Sequence, residues 1–311
     1  MPTHHPSSGR RVGSAMRASF IGVLLVFVSV GLSTFASFPA KEISPGIGSE
    51  TDRLIRVNVS VWDTDGRPVK DLAASDFRVF QDGTPLAIRR FMGPTTPLRV
   101  MILVDTSGSM RRAFARLQAA LLDFVSSFAR YDEIALVSFT RDPFVETDFS
   151  IDVDRLRRAI SKLQLTRERI EVTWLFDALP LALDELQNSG ERVRTALVLV
   201  TDGLDRGSHR VTKRQLLQMA SRRLVSIYVV QAYERKNGFL EALSGVTGAR
   251  VYRPDKNLER HLEQLARHLS AHYFLGLAPP QHQPKAKRHS ISVTVDRPDV
   301  TVVAPTEYHT P

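Results

Sequence analysis

Apolar residues recur along this chain in three distinct rhythms. The stretch LIRVNVSVWD alternates, with Ile55, Val57, Val59 and Val61 on one side and Arg56, Asn58 and Ser60 on the other. Period two predicts a strand with one face buried and one in water. Asp65-Gly66 and Asp82-Gly83 then supply turn signals, and DFRVFQDGTPLAIRRF predicts two short strands around the second. Residues 53–97 thus read as a small β unit, too short to be well stabilised alone.

From residue 98 to 272 the rhythm changes. LRVMILV is a continuous apolar run, the pattern of a strand buried on both faces. Phe114, Leu117, Leu121, Phe124 and Phe128 follow at helical spacing, and EIALVSF and FVETDF predict further strands. Residues 153–163 and Leu175–Gln187 predict helices, TALVLVTD a buried strand, and Thr212 caps a helix running to Arg222. VSIYVVQA and ARVYR predict strands on either side of a short helix at 238–246. Leu258, Leu262, Leu265 and Leu269 stripe a last helix. Buried strands alternating with amphipathic helices imply an α/β fold, a mostly parallel sheet covered by helices on both faces.

The third rhythm returns to alternation. In residues 273–311, YFLGLAPP, HSISVTVDRP and VTVVAP predict strands, the natural partners for those of the N-terminal unit. The fold expected is therefore an α/β domain over 98–272, with a small β unit built from both flanks.

The first forty residues have another character. Arg10, Arg11 and Arg17 precede an apolar run from Ala18 to Leu32, followed by the small residues Ser33, Thr34, Ala36 and Ser37. This is the layout of a secretory signal, with cleavage after Ala36 expected. The alternative is an uncleaved anchor holding the protein to the membrane. Met16 is a second candidate start. Residues 41–52 read as a linker. The remainder is expected to be exported, periplasmic or secreted.

Composition narrows the picture slightly. The chain has 311 residues, 43% hydrophobic and 24% charged, with a net charge of +9. Without residues 1–40 it keeps 39 basic against 33 acidic residues, a modest excess favouring acidic partners or surfaces. No nucleic-acid module is visible. There is no cysteine, which excludes disulfides and thiolate metal sites.

The candidate chemistry sits where strands end. In MILVDTSGSM the apolar run stops at Asp105, and Ser107 and Ser109 follow, separated by Gly108. In LVLVTDG a second strand ends at Asp202. Ligands of open α/β sheets bind beyond the carboxyl ends of strands. Two carboxylates at one sheet edge repel unless a proton or cation lies between them. With the serine hydroxyls they form a set of hard oxygen donors suited to Mg²⁺, with Mn²⁺ or Ca²⁺ as alternatives. Gly108 is expected to give the tight turn that aims both serines inward. Competing readings are a serine helix cap, a serine nucleophile and an aspartyl-phosphate enzyme. DTSGSM is not a nucleophile elbow, His209 is the one histidine in the site loops, and Ser107 stands where such phosphatases carry a second acid. A phosphate-binding loop would need more glycines and a lysine.

Asp105-Thr106-Ser107-Gly108-Ser109 resembles the DxSxS signature of von Willebrand factor type A domains. The resemblance implies a Rossmann-like sheet and a metal-ion-dependent adhesion site that adds a threonine from a second loop and an aspartate from a third. Those positions match Thr173 in EVTWLFDAL and Asp202 in VTDGLD. The departure is Glu171-Val172, where many relatives have Gly-Gly. The flanks VNVSVWDTDGRPVKDLAASDFRVFQDGTPLAIRRF and YFLGLAPP are similar to the VWFA-related family of exported bacterial proteins. The implied function is metal-dependent protein–protein interaction or adhesion, through an Asp or Glu that a partner presents to the cation. It is not catalysis. The alternative is a structural or assembly module of the cell envelope whose metal only staples the loops; a hydrolase ranks last. Asp205 is expected to support the site or cap a helix. Trp174, Arg111, Arg112, Arg206 and Arg210 are candidates for the rim, and His268 and His272 are expected at the surface.

Overall fold

The computed structural model of the chain describes residues 54–128, 131–166, 172–188, 193–223, 225–253, 258–280 and 288–309. The expected signal or anchor, the linker and Glu171 lie outside the described residues. Four strands come first: β1 (Ile55–Asp63), β2 (Phe77–Gln81), β3 (Thr84–Leu86) and β4 (Ile88–Met92). The central part runs β5 (Leu98–Asp105), α1 (Phe114–Val125), β6 (Glu133–Phe139), β7 (Pro143–Ser150), α2 (Val153–Lys162), α3 (Leu175–Gln187) and β8 (Arg194–Thr201). It continues with α4 (Lys213–Arg222), β9 (Val225–Gln231), α5 (Gly238–Gly245), β10 (Val251–Tyr252) and α6 (Leu258–Ala271). The chain closes with β11 (His272–Leu277), β12 (Arg288–Val295), β13 (Val300–Val303) and β14 (Glu307–His309).

The central sheet has the order β10-β9-β8-β5-β6-β7. All neighbouring pairs are parallel except β6 with β7, which is antiparallel. Alternate residues of each strand supply two cores. Val100, Ile102 and Val104 face α1, α2 and α6, while Met101 and Leu103 face α3, α4 and α5. This is a mostly parallel sheet with helices on both faces, as the apolar runs imply. Thr212 caps α4, its hydroxyl accepting from Gln215 N while Gln215 reaches back to Thr212 N.

The flanking strands form two antiparallel sheets, β13-β1-β11-β4 and β14-β12-β2-β3. They share one apolar core that includes Val57, Val59, Phe77, Val79, Tyr273, Leu275 and Ile291. Both chain flanks therefore contribute to a single peripheral β unit. Residues 77–92 hold three strands rather than the expected two. After the Asp82-Gly83 turn β3 pairs with β2, and β4 then crosses to pair with β11 in the other sheet.

β1 departs from expectation in an informative way. It is buried on both faces, not one: Arg56, Asn58 and Ser60 are as enclosed as their apolar neighbours. The Arg56 guanidinium donates to Ala220 O at 2.9 Å and also to Ser221 O, at the carboxyl end of α4. Asn58 donates to Ser226 Oγ and Gly248 O, both at 2.9 Å. Its alternation separates two interiors rather than core from water.

His268 and His272 are also buried, contrary to the surface position expected. Their rings stack 5.8 Å apart beside Tyr228. His268 Nδ1 lies 3.0 Å from Ser60 Oγ, and His272 Nδ1 donates to Leu269 O at 3.0 Å. Burial, with Arg250 nearby, pushes the His268 imidazole down to about 3; burial and Arg194 push His272 well below its ordinary value. Both are neutral members of the packed interior.

Candidate functional site

The carboxyl ends of β5 and β8 bring Asp105 and Thr201 to the same edge. The parallel register aligns Val104 with Val200, so the next residue of each strand projects to the same face. Thr201 Oγ1 donates to Asp105 Oδ2 at 2.8 Å, and Ser107 N donates to Asp105 Oδ1 at 3.0 Å. Asp105 is fully buried. Burial pushes its carboxyl up to about 6, and the charge of Asp202 adds to that, against the hydrogen bonds from Ser107 and Thr201.

Ser107 precedes a short 3-10 turn, Gly108–Arg112, but its side chain does not cap it. Instead Ser107 Oγ lies 3.0 Å from Ser109 Oγ. The serine-cap reading is thus set aside in favour of two hydroxyls grouped beside Asp105. Gly108 adopts helical backbone within that turn rather than a left-handed conformation, so the expected need for glycine freedom there is not met.

Thr173 lies on the second loop and is buried. Its N–H donates to Arg206 O at 3.2 Å and its carbonyl accepts from Arg206 N at 2.7 Å, which ties the second loop to the third. Asp202 begins that third loop. Its Oδ1 accepts from Leu204 N at 2.9 Å. Gly203 follows at φ +78°, a conformation that favours glycine. A Cβ there would stand 2.7 Å from Asn237 Nδ2, whose amide donates to Gly203 O.

Three supports were not visible in the sequence reading. Thr201 holds Asp105, and its signal was the parallel alternation that places it on the same face. Asp177 lies in the first turn of α3. Its buried carboxylate accepts from the N–H groups of His209, Arg210 and Val211, at 3.0 to 3.2 Å, and so anchors the third loop. Tyr233, after β9, donates through its hydroxyl to Ser109 O at 2.9 Å. Asp205 takes the supporting place expected of it: Oδ1 accepts from Phe176 N at 3.2 Å near the start of α3. Trp174 is half-buried, edge-on to His209 at 4.9 Å.

Chemically the edge offers two carboxylates and three hydroxyls from three loops. Among the described residues no group of three or more His, Cys, Asp or Glu is placed to hold a metal ion. Asp105, Ser107, Ser109, Thr173 and Asp202 all offer hard oxygens, and the charge of Asp202 disfavours ionisation of Asp105. That chemistry fits a small divalent cation.

Fold and loops together define an α/β domain with Asp105, Thr201 and Asp202 at the carboxyl ends of parallel strands. Residues 100–204 match the family model of the von Willebrand factor type A domain, a span that includes Asp105, Ser107, Ser109, Thr173 and Asp202. Over that span the chain is similar to a von Willebrand factor type A domain.

No curated protein matches the sequence. Similar solved structures include conserved hypothetical protein BatB from Bacteroides thetaiotaomicron, 14% identical, covering 56% of this chain and 97% of that one at a TM-score of 0.46. Another is an aerotolerance-related membrane protein from Bacteroides fragilis NCTC 9343 with multiple mutations to serines, 14% identical over 55% of this chain and 98% of that one, TM-score 0.46. A third is the SpRpn10 VWA domain, 15% identical over 54% and 95%, TM-score 0.42. At such scores these similarities decide nothing about partner or chemistry. Among the described residues no helix is long and apolar enough to cross a membrane.

Proposed function

We propose that this is an exported protein that binds a divalent cation, Mg²⁺, through Asp105, Ser107, Ser109, Thr173 and Asp202, and uses it to capture an acidic group of another protein. In this reading residues 1–40 direct export or anchor the chain, and 98–272 form the binding domain. Residues 53–97 and 273–311 form the β unit that carries it.

One observation supports the reading above the others. A fully buried Asp105 stands close enough to Asp202 for the second charge to disfavour ionisation of the first, beside two hydroxyl oxygens 3.0 Å apart. A cation relieves that repulsion and takes the hydroxyls as neutral ligands. With only two carboxylates around it, Mg²⁺ has no net negative shell and accepts a further anionic ligand. A partner's Asp or Glu supplies one. Titration calorimetry with Mg²⁺ tests the first half; the expected result is one site, lost in Asp105→Ala. If EDTA leaves binding to an identified partner unchanged, the metal bridge is wrong.

The second reading is a metal that only staples loops, and the direct pairing of Thr173 with Arg206 favours considering it. Thr173→Ala separates the two. Loss of partner binding with little change in melting temperature supports recognition, whereas a large fall in melting temperature supports the staple.

A further inference from the structure

The loops at the carboxyl ends of β9, β8, β5 and β6 carry an unbalanced charge. Arg111 and Arg112 follow β5, Arg206 and Arg210 follow β8, and Arg235 and Lys236 follow β9; all are exposed. Exposed acids on these loops are few. Asp142, after β6, is paired with Arg210 at 3.1 Å, and Glu234 stands beside Arg235 in sequence. The remaining loop acids, Asp202 and Asp205, are wholly or partly enclosed and accept backbone hydrogen bonds. Among the described residues Arg111 and Arg112 have no ion-pair partner, and they directly follow Ser109 and Met110.

Sheet order sets the geometry of this charge. The four strands lie side by side as β9-β8-β5-β6, so their loops form a row with the candidate cation site, between β8 and β5, at its middle. At about 4.8 Å per strand the row is about 14 Å long. An extended peptide rises about 3.3 Å per residue and crosses it with about four or five residues, alternate side chains facing the same way. We propose, resting on the cation site above, that the partner presents a short extended segment with acids at alternating positions. One carboxylate ligates the cation; those on either side meet Arg111 and Arg112 after β5, and Arg235 and Lys236 after β9. A nucleic acid is the poorer fit. A row of about 14 Å spans about four base pairs, whereas non-specific binders gather some six to ten phosphate contacts.

The partner is unidentified, so the probe is a fluorescently labelled peptide of sequence Glu-Ser-Glu-Ser-Glu, read by anisotropy against the full chain in Mg²⁺. Gln-Ser-Gln-Ser-Gln is the control. The variant is Arg111→Glu with Arg112→Glu, checked for an unchanged melting temperature and an unchanged Mg²⁺ isotherm. The expected result is binding of the acidic peptide only, weakened about tenfold or more by the double reversal and weakening as salt rises. Equal binding of the two peptides, no effect of the reversal, or tighter binding of a single-stranded oligonucleotide or of anionic vesicles than of the acidic peptide would overturn the proposal. The two layers separate cleanly. Binding that is insensitive to EDTA yet lost in the double reversal keeps the charged row and removes the metal from it. Binding lost in EDTA yet indifferent to the reversal does the opposite.

Discussion

The two ends of the central sheet use polar side chains for opposite purposes. At the amino ends of the strands, buried donors are aimed at backbone carbonyls and satisfied by them. Arg194, the first residue of β8, is buried and donates to Thr96 O, Pro94 O and Leu269 O, each at 2.9 Å, and to His272 O at 3.3 Å. Arg56 closes the end of α4 in the same manner. At the carboxyl ends the buried groups are acceptors. Asp105 and Asp202 repel one another, and the Thr201 hydroxyl and the backbone N–H groups of Ser107 and Leu204 donate to them. The first end is finished by the fold itself, through strands from both flanks. The second carries the two acids of the proposed cation site. On that proposal stability and binding fall on opposite edges of one sheet, and substitutions at the two edges should part company.

The largest effect expected is that of Arg194→Ala. It strands several buried carbonyls and opens a gap between β8 and the end of α6. Unfolding in urea should show a loss on the order of 3–5 kcal/mol. A loss below about 1 kcal/mol would mean that the amino end is not the anchor described here.

Acid should find the same end next. His268 and His272 are held neutral in the fold, with imidazoles pushed down to about 3 and well below the ordinary value. In the unfolded chain both take up a proton near pH 6.5. A base with a depressed folded value binds more protons when unfolded, so stability is full above about pH 6.5 and falls as pH drops toward 3. By pH 4.5 each histidine kept neutral costs about 2–3 kcal/mol. Melting temperature measured from pH 7 to 4.5 should fall steadily, and His268→Gln should flatten the slope. An unchanged slope in that variant would remove His268 from the account.

How much of this division was legible follows from what each residue type signals alone. The carboxyl end was legible as a polar edge, because Asp105, Ser107 and Ser109 interrupt an apolar run where a buried strand has no other reason to become polar. Its supports were less so. Asp177 reads as an ordinary acid in the first turn of a helix, and only the fold brings the third loop over it. The amino end was misread. Arg56, Asn58 and Ser60 alternate as a wet face does, and His268 and His272 sit on a helix bearing many charges. A sequence shows that a position is polar; whether water or a buried carbonyl satisfies it depends on a second chain segment more than 150 residues away, as between Arg56 and Ala220. The same limit hid the third strand of residues 77–92, since β4 is defined by its pairing with β11 and not by its own pattern.

At the other edge, effects on stability should be smaller and effects on binding larger. Asp177→Ala removes the acceptor of three backbone N–H groups in a loop close to solvent. A stability loss of about 1–2 kcal/mol is expected, with the Mg²⁺ isotherm weakened because the loop that follows Asp202 is no longer held. If Mg²⁺ affinity stayed at its wild-type value, Asp177 would be supporting α3 alone.

Gly203→Ala sharpens the comparison most. Its left-handed backbone disfavours a Cβ by about 1 kcal/mol, and that Cβ would press on Asn237 Nδ2 at 2.7 Å and on the buried Leu240 Cδ1 at 2.9 Å, so the capping Asn237 and the side chain behind it must both give. The fall in melting temperature should be similar to that of Asp177→Ala. Rotation of Asn237, however, breaks its bond to Gly203 O and lets the backbone next to Asp202 shift. A cation held by several oxygens at short distances does not tolerate one of them moving, since Mg²⁺ demands near-octahedral geometry. Calorimetry on this variant should show Mg²⁺ affinity lowered out of proportion to stability, whereas Arg194→Ala should show the reverse. If both variants lost stability and affinity in step, the two edges would be one cooperative unit, and the separation of anchoring from binding would fail.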